Sequence, residues 1–116
     1  RRLCGDTFAI WSGNDDQIVP AMASGASGVI SVLSNLYPER MKRISDEYSG
    51  GHTEAALSEQ QSLLTLIDAM FIETNPAPIK YALSRLDLCS GEMRLPMSEV
   101  KATSRELING LLFTDK

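Results

Sequence analysis

Two short apolar runs near the start of the sequence, TFAIW at residues 7–11 and GVISV at residues 28–32, constrain what this chain can fold into. Both are β-prone and bounded by turn residues, which predicts buried strands. Between them, Asn14 or Asp15 is placed to cap a helix over about residues 16–24, and Gly25 follows its end. Pro20 falls in the first turn, where a missing N–H matters least. Two strands joined by a helix form a βαβ unit, with parallel pairing and a right-handed crossover. The loops that follow the strands, SGND and LSN, look like the rim of an α/β enzyme. Two strands cannot enclose an active site.

The rest of the chain is helix builder. Pro38 opens a helix to about Ser49, stopped by Gly50-Gly51. Thr53 caps a long helix to about Ile72, in which Leu57, Leu64, Ile67 and Phe71 recur at spacings of seven, three and four. Leu63, Leu66 and Met70 widen that stripe. ETNPAP breaks the chain, Pro78 begins a short helix to about Leu86, and Ser98 caps a last helix through about Phe113. No segment repeats. A chain of 116 residues is one ordinary domain or a piece of a larger one.

With 43% hydrophobic and 22% charged residues the composition is globular. A net charge of −4 and scattered basic residues argue against nucleic acid as a partner. No apolar run approaches the roughly 20 residues that cross a bilayer. RRLCGDTF lacks the apolar centre of a signal peptide, so a soluble cytoplasmic protein with no membrane partner is expected. Cys4 and Cys89 share no metal-ligand spacing; reduced thiols are the default reading, with a disulfide left open.

The polar residues of the rim invite sharper readings. Asp15 and Asp16 beside Gly13 resemble a metal or acid–base pair, but helix capping is simpler, and a hard cation needs more oxygen ligands. No metal or cofactor is expected. Ser12 and Ser34 lie in no nucleophile elbow, and the one histidine, His52, follows two glycines in a loop where exposure is expected. Asn35 suits a substrate contact and a turn equally. The long apolar stripe reads as core before partner groove.

Three motifs in order, SGNDDQIVPAMASGASGVISVLSN, NPAPIKYALSRLDL and MRLPMSEV, resemble the C-terminal part of the dihydrodipicolinate synthase family, related to N-acetylneuraminate lyase among the class I aldolases. The resemblance covers nearly the whole chain. It implies an α/β fold: residues 1–49 as the last two strand–helix units of a (β/α)8 barrel and residues 50–116 as a three-helix extension. It also implies condensation of pyruvate with L-aspartate 4-semialdehyde through a lysine imine, in a homo-oligomer, usually a tetramer. Function in such barrels sits at the C-terminal ends of the strands. There Gly13 lets backbone approach a ligand, and Ile30 matches the family position beside the pyruvate unit. Both are expected as substrate-binding wall residues.

The chain's lysines are Lys42, Lys80, Lys101 and Lys116, and none matches the imine former. The reactive amine, the tyrosine relay and a hydroxyl-bearing loop are all expected ahead of Arg1. The chain alone is expected to be inactive, with no catalytic residue of its own. The absence of an initiating Met and the start within an element favour a longer enzyme. A sister aldolase acting on N-acetylneuraminate or a 2-keto-3-deoxy sugar acid, and a non-enzymatic helical assembly module, are the alternatives. The two apolar strands, left with open edges, are expected to self-associate or to repack against the helices.

Overall fold

The computed structural model describes residues 2–113. The strands β1 (Trp11–Ser12) and β2 (Gly28–Val29) pair in parallel, with Trp11 opposite Gly28 and Ser12 opposite Val29. Backbone bonds extend the ladder at both ends: Ser27 N–H donates to the Ile10 carbonyl at 2.6 Å, and Ile30 N–H to the Ser12 carbonyl at 2.8 Å. A 3-10 turn (Asp15–Gln17) and helix α1 (Ile18–Ala23) make the crossover. Gly25 takes φ +98°, and bonds from Gly25 N–H to Met22 and from Ala26 N–H to Ala21 close the helix and return the chain to β2.

Both strands are shorter than their apolar runs. Residues 7–10 and 30–32 are not strand, because pleated structure needs a hydrogen-bonded neighbour and only one is present along this short stretch. Phe8, Ile10, Trp11 and Ile30 are exposed. The expected parallel βαβ unit is present.

A second 3-10 turn (Leu33–Asn35) leads into α2 (Pro38–Ser49), whose bounds match the sequence reading. Then come α3 (Thr53–Met70), α4 (Ala77–Arg85) and α5 (Ala102–Phe113). Two compact units divide the chain, residues 1–64 and residues 65–116. The first packs Ile18, Val19 and Met22 of α1 with Leu33, Leu36, Met41 and Ile44, and α1 lies on both β2 and α2. In the second, α4 packs on α5, and Ile79, Ala82, Val100 and Ile108 are buried.

Two sequence expectations need correction. On α3 the buried row is Ala56, Gln60, Leu63, Ile67 and Met70, whereas Leu57 and Phe71 of the expected stripe are 41% and 43% exposed. And α5 begins at Ala102, not after Ser98. The Glu73 carboxylate accepts the Lys101 N–H at 3.0 Å just ahead of the first turn, while the Val100 carbonyl accepts Arg105 Nε at 2.7 Å. These bonds anchor the residues just ahead of α5.

Candidate functional site

Parallel strands point all their C-terminal ends one way, and in this chain that end carries Gly13 and Ile30. Ser12 is opposite Val29, and Gly13 and Ile30 are the residues that follow this pair. The bond from Ile30 N–H to the Ser12 carbonyl fixes that placement. A Cβ added at Gly13 would meet nothing within 4 Å, and Ile30 is 69% exposed. The two residues therefore border open space.

Beneath the rim is a scaffold of buried polar groups that the sequence reading did not find. Asp15 is fully buried, and its Oδ2 accepts the Leu33 N–H at 2.7 Å. Its other oxygen, Oδ1, is buried without a hydrogen-bond partner. Neither Asn14 nor Asp15 caps the crossover helix by a side-chain bond. The capping expectation is thus corrected: Asp15 ties the loop after β1 to the turn after β2.

Capping of α1 comes instead from α3. Gln60, 5% exposed, accepts the Val19 N–H on Oε1 at 2.7 Å and donates from Nε2 to the Asp16 carbonyl at 2.6 Å. The first N–H groups of any helix lack intrahelical partners. A residue more than forty positions away supplies one here. The available signal was a glutamine in the apolar row 56, 60, 63, 67, 70. A buried amide on such a row must have partners.

The other rim candidates do local work. Ser12 Oγ accepts the Asn14 N–H at 3.1 Å; Ser34 Oγ donates to the Ser31 carbonyl at 2.9 Å; and Asn35 Nδ2 donates to the Val32 carbonyl at 2.9 Å. His52 is exposed, with Nδ1 at 2.9 Å from Glu47 Oε2. Among the described residues no three His, Cys, Asp or Glu side chains group to hold a metal ion. Cys4 and Cys89 are exposed free thiols. No helix among the described residues is long and apolar enough to cross a membrane.

No described lysine lies at the rim. Lys42 is on α2 and pairs with Asp46, which raises its pKa through their hydrogen bond and charge attraction. Lys80 on α4 donates to the Glu92 carbonyl, and Lys101 precedes α5. Lys116 lies outside the described residues.

Below the rim, an indole fills the space beside β2. A Cβ on Gly28 would lie 2.8 Å from Cζ3 of Trp11, and Gly28 has φ +154°. Only glycine fits there.

The sequence profile of the dihydrodipicolinate synthetase family matches residues 1–113. The 4-hydroxy-tetrahydrodipicolinate synthase of Clostridium novyi is 42% identical over 112 residues, which cover 97% of this chain and 38% of that protein. A crystal structure of dihydrodipicolinate synthase from Thermotoga maritima superposes with a TM-score of 0.88 at 38% identity, covering 90% of this chain and 36% of that one. A structure described as a monomeric dihydrodipicolinate synthase variant gives 0.91 at 36% identity, covering 96% and 37%. The chain thus spans under two fifths of the length of these relatives and corresponds to their C-terminal part. Its fold is that of the last two strand–helix units of a (β/α)8 barrel followed by a three-helix extension. With the family profile matched over nearly the whole chain, and the relatives alike in both sequence and fold, this protein belongs to the dihydrodipicolinate synthetase family.

Proposed function

We propose that this chain is the C-terminal part of a pyruvate-dependent Schiff-base synthase that condenses pyruvate with L-aspartate 4-semialdehyde, on the route to diaminopimelate and lysine. One observation carries the reading: Gly13 and Ile30 directly follow the last register pair at the C-terminal end of paired parallel strands, and both border open space. In a barrel that end is where substrates bind. Gly13 admits the substrate close to backbone, and Ile30 supplies an apolar wall beside the reacting carbon. Neither residue transforms the substrate.

The amine that attacks pyruvate's ketone belongs to polypeptide outside these 116 residues. Its addition to the ketone gives a carbinolamine, which loses water to form an imine, and loss of a methyl proton from the imine gives the enamine that attacks the aldehyde. Such an amine must be unprotonated, which a dry pocket favours. Apolar Ile30 contributes to that dryness. The paired placements of Lys42 and Lys80 on helices support the division of labour, and the chain alone is inactive in this reading.

In the same reading residues 1–49 are wall and residues 50–116 are helical extension. The longer protein is a cytoplasmic homo-oligomer, most simply a tetramer. Likeness to a variant described as monomeric shows why sedimentation of the longer protein must accompany the assay.

The experiment is an assay of the longer protein with pyruvate and, separately, L-aspartate 4-semialdehyde or N-acetylmannosamine. Condensation with the semialdehyde is expected. Turnover with the sugar alone would replace this reading by that of a sister aldolase.

A further inference from the structure

A cleft of about 330 Å³ lies wholly within the second unit, lined by α4, by α5 and by the segment that joins them. That volume falls in the range of roughly 300–1,000 Å³ that small-molecule sites occupy. Buried Ala77 and Val100, with Tyr81 and Met93, give it an apolar lining. The joining segment is tied down on both sides. Lys80 Nζ donates to the Glu92 carbonyl, Arg105 Nε donates to the Val100 carbonyl at 2.7 Å, and a Cβ added to Gly91 would meet Ser84 Oγ at 3.2 Å. Two opposite charges border this cleft. Arg105 lies over the Tyr81 ring, its Cζ 5.6 Å from the centroid, and its Nη2 donates to Glu99 at 2.6 Å. Among the described residues nothing bonds its Nη1. Glu92 is exposed, and among the described residues only its backbone is bonded, to Lys80 and to the Ser90 hydroxyl.

We propose that this cleft binds a small ω-amino carboxylate, a short alkyl chain with a carboxylate at one end and an ammonium at the other. Neighbouring helix positions point about 100° apart. Glu92, held from Lys80, and Arg105, held over Tyr81, therefore approach the cleft from different sides of α4. The ligand carboxylate accepts from Arg105 Nη1, which its ring contact and two bonds hold in place, and the ammonium reaches the Glu92 carboxylate. The methylenes between them lie on Tyr81 and Met93. A simple carboxylate would meet two glutamates and one arginine in this lining, and a simple ammonium would meet the guanidinium. A zwitterion satisfies both charges. None of these residues enters the reading of Gly13 and Ile30 as substrate walls.

The test uses the longer protein that contains this chain, as wild type, Glu92→Gln and Arg105→Lys. Each is titrated calorimetrically with 5-aminopentanoate, pentanoate and pentylammonium. In the wild type 5-aminopentanoate should bind saturably and slow amide exchange over residues 91–93. Pentylammonium, which lacks the bond to Arg105, should bind about tenfold or more weakly, and Arg105→Lys should weaken 5-aminopentanoate by a similar factor. Glu92 is exposed, so Glu92→Gln should weaken 5-aminopentanoate only about threefold to fivefold. The same variant should bind pentanoate as well as the wild type does, or better, which a merely structural defect would not produce. No saturable binding of 5-aminopentanoate at millimolar concentration overturns the proposal. So does pentanoate or pentylammonium binding as tightly as the zwitterion, or a zwitterion affinity that neither substitution moves. Should Arg105→Lys fail to fold by circular dichroism, Glu92→Gln, which changes only an exposed side chain, decides it with the three ligands.

Discussion

Asp15 Oδ2 accepts the backbone N–H of Leu33 at 2.7 Å, and this one bond joins the loop after β1 to the turn after β2. Both partners are fully buried. The bond closes the end of the sheet where Gly13 and Ile30 stand, so the spacing of the two proposed walls depends on a carboxylate that does not border the open space itself.

Removing that acceptor leaves a buried N–H without a partner, which costs about 1–3 kcal/mol. Asp15→Ala is expected to lose that much stability, and Asp15→Asn, which keeps an acceptor oxygen, less. Hydrogen exchange at the Leu33 amide provides the local measure. Exchange as slow in the Ala variant as in the wild type would show that the bond does not hold the turn.

Gln60 acts in the same way from a different element. Gln60→Leu keeps the volume but removes both bonds to the start of α1. A loss of about 1–3 kcal/mol is expected, concentrated in faster exchange over residues 18–23. Uniform exchange across the chain would place the effect in general packing instead.

Gly13 separates fold from function. A Cβ added there meets nothing within 4 Å, so Gly13→Ala should change stability by no more than about 0.5 kcal/mol. In the longer protein its KM for pyruvate should rise severalfold. Unchanged kinetics in a stable variant would remove Gly13 from the wall.

Acid stability should depend on Glu73. The Ser104 hydroxyl, foremost, and then the Lys101 N–H hold its carboxyl below the ordinary value of 4.5, against the opposing effect of burial. A group with a depressed folded pKa adds stability that is present above its unfolded value and is lost as pH falls through the folded one. Wild type should therefore exceed Glu73→Gln in Tm at neutral pH, and the difference should shrink as pH falls below 4.5. A pH-independent difference would mean that the charge is not what stabilises the start of α5.

What was legible in the sequence follows the range of the interactions involved. Pro38, Gly25 and Gly50-Gly51 act on their own neighbours, and the elements they bound came out close to expectation. Asp15 and Gln60 were misread or missed because their partners lie eighteen and forty-one residues away. A helix-start aspartate looks the same in sequence whether it caps or turns inward. The start of α5 was misplaced for a similar reason, since Glu73 of the loop between α3 and α4 takes the Lys101 N–H just ahead of the helix. On α3 the apolar residues outnumber the positions on one face, so counting spacings chose Leu57 and Phe71 over the row that is buried. The apolar runs of the two strands were read as long as their composition, while their observed length reflects the one neighbour each has.

The central claim is that these residues shape a pocket whose nucleophile they do not contain. Borohydride reduction with pyruvate, followed by peptide mapping of the longer protein and of this chain alone, tests it most directly. The adduct should appear only in the longer protein, on a lysine outside this sequence. An adduct on Lys42, Lys80, Lys101 or Lys116 would contradict the account, as would a longer protein that turns over pyruvate without being trapped.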